Sequence, residues 1–271
     1  MVNRIFNLHF TDFCNFSCRF CFAKNEKRAL SLDEVRTVVD NIDGYFRENG
    51  VTDGKINIAG GEPTTCRYLQ EIIDYIVGKG ITATLITNGF ILTEQFIAAN
   101  RGKLQTIGLS IDSISPKTNA ALGRSIRRRS ETLEYERLTR ICRAIRENGI
   151  RLKINTVVSR LNIHEDILPL LREVRPDRIK FLQMLPVNAF AESLVVSDSE
   201  FEEYLQKYRE FDYVAEYSSD IAGAYMIIDS GGFVSTNNLH LDKKYSALRM
   251  PIRDIVSNVD FNFEGEMKRY Q

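Results

Sequence analysis

Three cysteines within eight residues, Cys14, Cys18 and Cys21, have the most chemistry to offer in this chain. They stand in a C-x3-C-x2-C loop, and three thiolates at that spacing can hold three irons of a [4Fe–4S] cubane. The fourth iron then keeps an open coordination position, which a metal centre needs in order to do chemistry rather than hold structure. Phe13, Phe16, Phe20 and Phe22 lie in and around the loop and would shield a cluster from water. The competing reading is a structural zinc site, which needs a fourth ligand and usually shows two ligand pairs. Cys66 and Cys142 are isolated in helical contexts and read as packing residues. His9, His164 and His240 have no partner at ligand spacing.

A second constellation lies on the strands. Alternate residues of a strand face opposite sides. That rule separates Asn7 and His9 from Phe6, Leu8 and Phe10, and Lys55 and Asn57 from Ile56 and Ile58. It likewise separates Gly108 and Ser110 from Ile107 and Leu109, Lys153 and Asn155 from Ile154, and Arg178 and Lys180 from Ile179 and Phe181. A parallel strand covered on both faces should be nearly all apolar. These strands are apolar on one face only, so the other must meet water or a polar ligand. A barrel-like lumen around an anion such as a polyphosphate fits, because four cations buried without partners are costly. The alternative is a set of strand ends facing solvent.

The elements that must position these residues alternate in type. Strand patterns cover Arg4–Phe10, Lys55–Ile58, Ala83–Thr87, Thr106–Ser110, Arg151–Val158 and Arg178–Met184. Helical patterns run from the capping box at Ser31-Leu32-Asp33-Glu34 to about Gly50, and over Arg67–Lys79, Thr93–Ala99, Leu133–Asn148, Ile163–Val174 and Ser197–Tyr208. Gly149 stands where a C-terminal cap belongs. Six strand–helix units in series imply a parallel sheet with right-handed crossovers. Periodicity leaves an open doubly wound sheet and a full or partial barrel equally open. After about residue 210 the regularity weakens, and Tyr225–Asp229 and Phe233–Ser235 read as a small hairpin around Ser230-Gly231-Gly232.

Bulk properties narrow the class. The 271 residues are 44% apolar, enough for a substantial core. Lys+Arg and Asp+Glu both number 36, a balance that argues against a nucleic-acid binder. No apolar run is long enough to span a membrane, and no leader pattern precedes the first strand. Five cysteines, three crowded into one loop, make a poor disulfide framework and fit a reducing cytoplasm.

On these residues the chain resembles the radical S-adenosylmethionine (SAM) enzymes. Their signature is C-x3-C-x2-C after the first strand, with an aromatic, here Phe20, before the last cysteine. The resemblance implies an α/β fold, a partial (βα)6 barrel with a C-terminal extension. Residues 1–210 would form the core, and residues 211–271 would complete the pocket within the same structural domain. It also implies that the unique iron chelates SAM, whose reductive cleavage gives a 5′-deoxyadenosyl radical. A one-electron donor of the flavodoxin or ferredoxin type would drive that cleavage. Ala59-Gly60-Gly61-Glu62-Pro63 resembles the family segment that binds the methionine amino group, where glycine lets backbone approach a ligand. Thr87, Ser110 and Asn155 resemble cofactor contacts, and Arg124 the arginine that meets the methionine carboxylate. Arg127, Arg128 and Arg129 read as a solvated charge run.

The resemblance sharpens to the viperins and their prokaryotic homologues, over about residues 3–235. Lys55-Ile56-Asn57-Ile58-Ala59-Gly60-Gly61-Glu62-Pro63 is similar to K-I-N-F-S-G-G-E-P, and residues 153–162 to K-I-N-S-V-I-N-R-F-N. Arg178-Ile179-Lys180-Phe181-Leu182-Gln183 is similar to R-W-K-V-F-Q, and residues 224–229 to S-Y-L-I-L-D. The implied activity is dehydration of a ribonucleoside triphosphate to its 3′-deoxy-3′,4′-didehydro analogue, a chain terminator in antiviral defence. CTP or UTP is favoured, with GTP possible. Lys55, Lys153, Arg178 and Lys180 would neutralise the triphosphate, Asn7 and Asn57 would hold substrate, and Tyr225 would return hydrogen to the product radical. Tyr225 also reads as a core tyrosine of the hairpin. The amphipathic membrane helix of animal viperins is absent, and the tail through Tyr270-Gln271 differs from theirs. Peptide-modifying and nucleotide-cyclising radical enzymes commonly carry a second cluster on C-terminal cysteines, and no cysteine follows Cys142. A zinc-binding interaction module is the alternative from outside enzymology.

Overall fold

The computed structural model describes residues 2–22, 27–221, 223–236, 244–259 and 261–262. His240 and the tail through Tyr270-Gln271 lie outside the described residues. Strand and helix alternate as β1 (Ile5–His9), α1 (Leu32–Glu48), β2 (Lys55–Ala59), α2 (Leu69–Gly78), β3 (Thr82–Thr87), α3 (Glu94–Ala99) and β4 (Leu104–Ser110). The chain continues through α4 (Pro116–Leu122), α5 (Tyr135–Glu147), β5 (Arg151–Val158), α6 (Leu168–Val174), β6 (Arg178–Gln183), α7 (Ala189–Glu192) and α8 (Asp198–Gln206). It then adds β7 (Tyr213–Glu216), α9 (Ser218–Ile221), β8 (Ile227–Ile228), β9 (Val234–Ser235) and α10 (Ile252–Val256).

The six expected strands form, in the order expected of βα units, and all pair parallel. Three more strands join the same sheet, giving the order β7-β6-β5-β4-β3-β2-β1-β8-β9. The ends β7 and β9 do not pair with each other, so the barrel is partial and open. β7 was not legible in the sequence pattern because four residues, Tyr-Val-Ala-Glu, carry too little periodicity. The expected hairpin is present but shrunken: β8 and β9 pair antiparallel over two residues each, and β8 also lies parallel to β1.

Local chemistry sets the helix ends. Ser31 caps α1 by accepting from the Glu34 N–H, while the Glu34 carboxylate accepts from the Ser31 N–H at 2.8 Å. Ser197 and Glu200 repeat the device at α8. The helix expected from Ile163 starts only at Leu168, because Pro169 is tolerated in a first turn and not in a helix interior.

The alternation along the strands decides where the core sits. Phe6, Leu8, Ile56, Ile58, Leu85, Ile107, Leu109, Leu152, Ile154 and Phe181 are fully buried and pack with the helices. Each contributes at most about 1.5–3 kcal/mol. The opposite face carries Asn7, Asn57, Thr84, Ser110, Lys153, Asn155 and Lys180, and most of its positions are only partly buried. The polar residues therefore share the concave side of one curled sheet.

Candidate active site

The cysteine loop leaves the C-terminal end of β1 and is held from two sides. The Gly61 N–H donates to Thr11 O at 2.6 Å and the Glu62 N–H to Phe13 O at 2.7 Å. A Cβ on Gly61 would stand 2.3 Å from Phe13 O. The glycines of this segment are thus required by its approach to the cysteine loop. On the other side Gly123, at φ +75°, packs so closely that a Cβ would meet Ser17 O at 2.3 Å. The N–H groups of Ser17 and Arg19 donate to the carbonyls of Gly123 and Leu122. Gly123 ends α4, an element announced in the sequence by Ser115-Pro116, an N-cap followed by proline at the first helical position.

Cys14 and Cys18 are half-buried and Cys21 is exposed. Burial pushes the Cys14 thiol up to about 12, and it raises Cys18 against the pull of Arg124. Such thiols bind as thiolates only when a cation takes the proton's place. Among the described residues no three His, Cys, Asp or Glu side chains are gathered at metal-binding distance. Two further observations bear on the fit of a cluster. Asn15 Nδ2, beside Cys14, is buried with no hydrogen-bond partner. Its orientation is fixed, because Asn88 Nδ2 donates to Asn15 Oδ1 while Asn88 Oδ1 accepts from the Phe90 N–H. Arg124 places Nη1 3.9 Å from Cys18 Sγ. Three thiols, an unspent amide donor and a guanidinium suit a sulfur-rich anionic group.

Glu62 is buried at 1% exposure. Burial raises its carboxyl pKa, opposed by hydrogen bonds from the Asn88 N–H (2.7 Å) and the Thr64 and Thr87 hydroxyls (2.5 and 2.6 Å). Thr87, expected at the cofactor, holds Glu62. Three of these bonds, counting the Thr64 N–H, fall on Oε1 and one on Oε2, which leaves Oε2 a lone pair for an incoming donor. Asp112, fully buried at its side chain, ion-pairs with Arg124 Nε and accepts from the Val157 N–H at 2.8 Å. Burial works against the Arg124 charge, but Asp112 and Cys18 outweigh it and raise the guanidinium pKa. Phe20 lies 5.8 Å from the Arg124 guanidinium. A cleft beside the loop is lined by Phe16, Asn88, Ser110, Ser113, Asn119 and Arg124. Asp112 and Asn15 were not singled out from sequence; the Ser-Ile-Asp at the end of β4 was the available signal for Asp112.

Farther down the concave face, Asn57 donates to Asn7 Oδ1 at 2.9 Å and accepts from the Thr84 hydroxyl at 2.5 Å. Asn155 lies against Gly108, where a Cβ would come within 3.2 Å of its amide nitrogen. The four cations converge. Burial lowers the Lys153 pKa to about 7, helped by repulsion from Lys180, Arg178 and Lys55. Lys55 is lowered by burial and by Arg178. β2 and β6 are four strand spacings apart, about 19 Å on a flat sheet, beyond useful Coulomb range in salt. Lys55 and Arg178 interact because the sheet curls and brings them across the lumen. Lys180, nine-tenths buried, is already engaged: it ion-pairs with Glu216 and donates to Tyr225 Oη. Tyr225 therefore faces the lumen and is not a core tyrosine of the hairpin.

The radical SAM superfamily model matches residues 8–181. The chain belongs to the radical SAM superfamily. That family works with a [4Fe–4S] cluster and SAM, so the chain is an enzyme. It groups with proteins called S-adenosylmethionine-dependent nucleotide dehydratases. The one from Flammeovirga pacifica is 30% identical over 279 residues, covering 97% of this chain and 93% of the relative. The one from Selenomonas ruminantium is 31% identical, covering 83% of each. Among solved structures, Streptococcus suis SuiB bound to its precursor peptide SuiA matches with a TM-score of 0.73 at 17% identity; the match covers 98% of this chain and 66% of SuiB. The structure of anSMEcpe with bound AdoMet matches with a TM-score of 0.70 at 12% identity, over 93% of this chain and 80% of that one. At such identities the structures share the fold. No helix of the described residues is long and apolar enough to cross a membrane.

Proposed function

We propose that this enzyme is a viperin-type nucleotide dehydratase, converting a ribonucleoside triphosphate to its 3′-deoxy-3′,4′-didehydro analogue. The observation that carries the reading is the placement of Lys55, Lys153 and Arg178 around one lumen, with the cysteine loop beyond the opposite ends of the strands. Lys55 opens β2 and the Gly60-Gly61 segment follows it, about 17 Å away along the strand axis. A triphosphate at the cationic end points its ribose toward the cysteine loop.

Cys14, Cys18 and Cys21 would hold the cluster, and Gly60, Gly61, Glu62, Ser110 and Arg124 would surround SAM. When bound, the two supply a one-electron carbon radical at the mouth of the lumen. The chain's residues do the rest. Lys55, Lys153 and Arg178 neutralise phosphate charge, with Arg178 able to give bidentate contacts. Lys180 lies one register row nearer the ribose, beside Asn155. Asn7, Asn57 and Asn155 hold ribose hydroxyls of substrate or cofactor. Hydrogen is taken from C4′, the 3′-hydroxyl leaves as water, and Tyr225 returns the electron and proton that complete the product. Residues 211–271 complete this pocket through Glu216 and Tyr225. The product lacks the hydroxyl that a polymerase extends, which makes a cytoplasmic antiviral role its natural use. A flavodoxin- or ferredoxin-type protein would supply electrons.

The test is 5′-deoxyadenosine formation by anaerobically reconstituted, reduced enzyme with SAM and CTP, UTP, GTP or ATP in turn. One triphosphate, CTP or UTP first, is expected to stimulate formation strongly and to be dehydrated. No stimulation by any of the four would refute the reading.

A further inference from the structure

Glu216 ends β7 with its side chain 2% exposed. Its register partner is Leu182, two residues on from Lys180, so it points into the lumen. Its carboxylate ion-pairs with Lys180 through Oε1 and accepts the Tyr225 hydroxyl through Oε2 at 2.5 Å. Lys180 in turn donates to Tyr225 Oη and stands 5.0 Å from the ring centroid. The three side chains close a triangle in which the phenolic proton is aimed at the carboxylate. Lys153, on the neighbouring strand, senses both Lys180 and Glu216.

As packing, this triangle is an expensive choice. A buried ion pair adds little stability over apolar side chains of the same volume, because desolvation cancels most of the attraction. As chemistry, it answers a need. A phenol that loses an electron while keeping its proton becomes a cation in a poorly solvated site, which is costly. A base within hydrogen-bond reach removes that cost by taking the proton as the electron leaves.

We infer that Glu216 is a positioning residue and the proton acceptor for Tyr225 in the dehydration, an inference that rests on the nucleotide dehydratase reading above. The substrate radical at C4′ loses its 3′-hydroxyl as hydroxide and becomes a radical cation. Tyr225 gives it one electron, forming the C3′–C4′ double bond of the neutral product, and passes its phenolic proton to Glu216. Lys180 protonates the departing hydroxide to water and regains a proton from Glu216. A hydrogen atom has then left Tyr225, and the phenoxyl radical is restored by one electron from the carrier protein and a proton from solvent.

The test uses reconstituted enzyme with SAM and the stimulating triphosphate. It measures dehydrated nucleotide per 5′-deoxyadenosine formed, and separately the nucleotide Kd by calorimetry. Glu216→Gln is expected to lower the ratio by about a hundredfold. It should leave Kd unchanged or tighter, since one negative charge beside the phosphates is gone. Glu216→Asp should recover part of the ratio, and Tyr225→Phe combined with Glu216→Gln should be no worse than either alone. A wild-type ratio in Glu216→Gln overturns the inference. A wild-type ratio together with lost nucleotide affinity also overturns it, and makes Glu216 a scaffold. Failure of the parent reading looks different: wild-type enzyme then dehydrates no nucleotide at all.

Discussion

Triphosphate binding should take up a proton at Lys153, and its affinity should fall as pH rises through neutrality. In the free protein burial and the charges of Lys180, Arg178 and Lys55 lower Lys153 to about 7, while Glu216 on β7 pulls the other way. A bound polyanion favours the ammonium form and moves the group back toward the ordinary lysine value of about 10.4. Lys153 is then half-neutral in free enzyme at about pH 7 and protonated in the complex, so affinity is highest below that pH. With these end points the affinity drops about 15-fold from about pH 7 to about pH 8.5, or about 1.6 kcal/mol. The last phosphate ionisation, with a pKa of about 6, is nearly complete before that window opens. Calorimetric titration of CTP into reconstituted enzyme, in buffers of different ionisation enthalpy, reads both the slope and the proton count. Lys153→Arg, charged throughout, should flatten the slope. Folding stability has the opposite sign. The unfolded chain keeps this lysine protonated up to about pH 10.4, so the group's contribution to stability rises with pH from about 7 upward. Affinity that is flat between pH 7 and pH 8.5, or an unchanged slope in Lys153→Arg, would refute the reasoning.

Two further substitutions test how the cysteine loop is held. Gly61→Ala puts a Cβ 2.3 Å from Phe13 O, so the loop must shift; iron and sulfide per chain after reconstitution should fall well below wild type, with circular dichroism unchanged. Asp112→Ala strips the buried partner of Arg124, and urea unfolding should show a loss of about 3–5 kcal/mol, with a smaller loss in the double variant Asp112→Ala/Arg124→Met.

The lumen was legible in the sequence because a barrel with a polar interior leaves a period-two signature that helix-covered parallel sheets lack. Lys55-Ile56-Asn57-Ile58 and Lys153-Ile154-Asn155 show that signature, and the register puts their polar halves on one face. The cysteine spacing and the glycine–glutamate segment were equally plain, because both are local. What was hidden is long-range. Glu216 lies in a four-residue strand with no periodic signal, and nothing near it in sequence points to Lys180. Asn15 sits between Cys14 and Cys18 and gains meaning only when Asn88, on another loop, fixes its amide. The glycines were read as needing closeness, and sequence could not show that the facing backbone of the cysteine loop is one neighbour that demands it.

The division of charge along the lumen suits the two reactants of the proposed reaction. At the cysteine end the charges are compensated by fixed partners: Arg124 by Asp112, and Glu62 by donors from Thr64, Thr87 and Asn88. At the opposite end Lys153, Lys55 and Arg178 repel one another, and burial weakens the charges of the two lysines. The first arrangement is preorganised by those partners. In the second the cations weaken one another, so under the proposed dehydratase function an anionic triphosphate gains attraction there that a neutral nucleoside does not. Between the two, Lys180 is held by Glu216 and Tyr225, a fixed cation at the level proposed above for the ribose. Under the proposed function, phosphate charge would fix the depth of the nucleotide, and depth would decide which ribose carbon faces the mouth of the barrel.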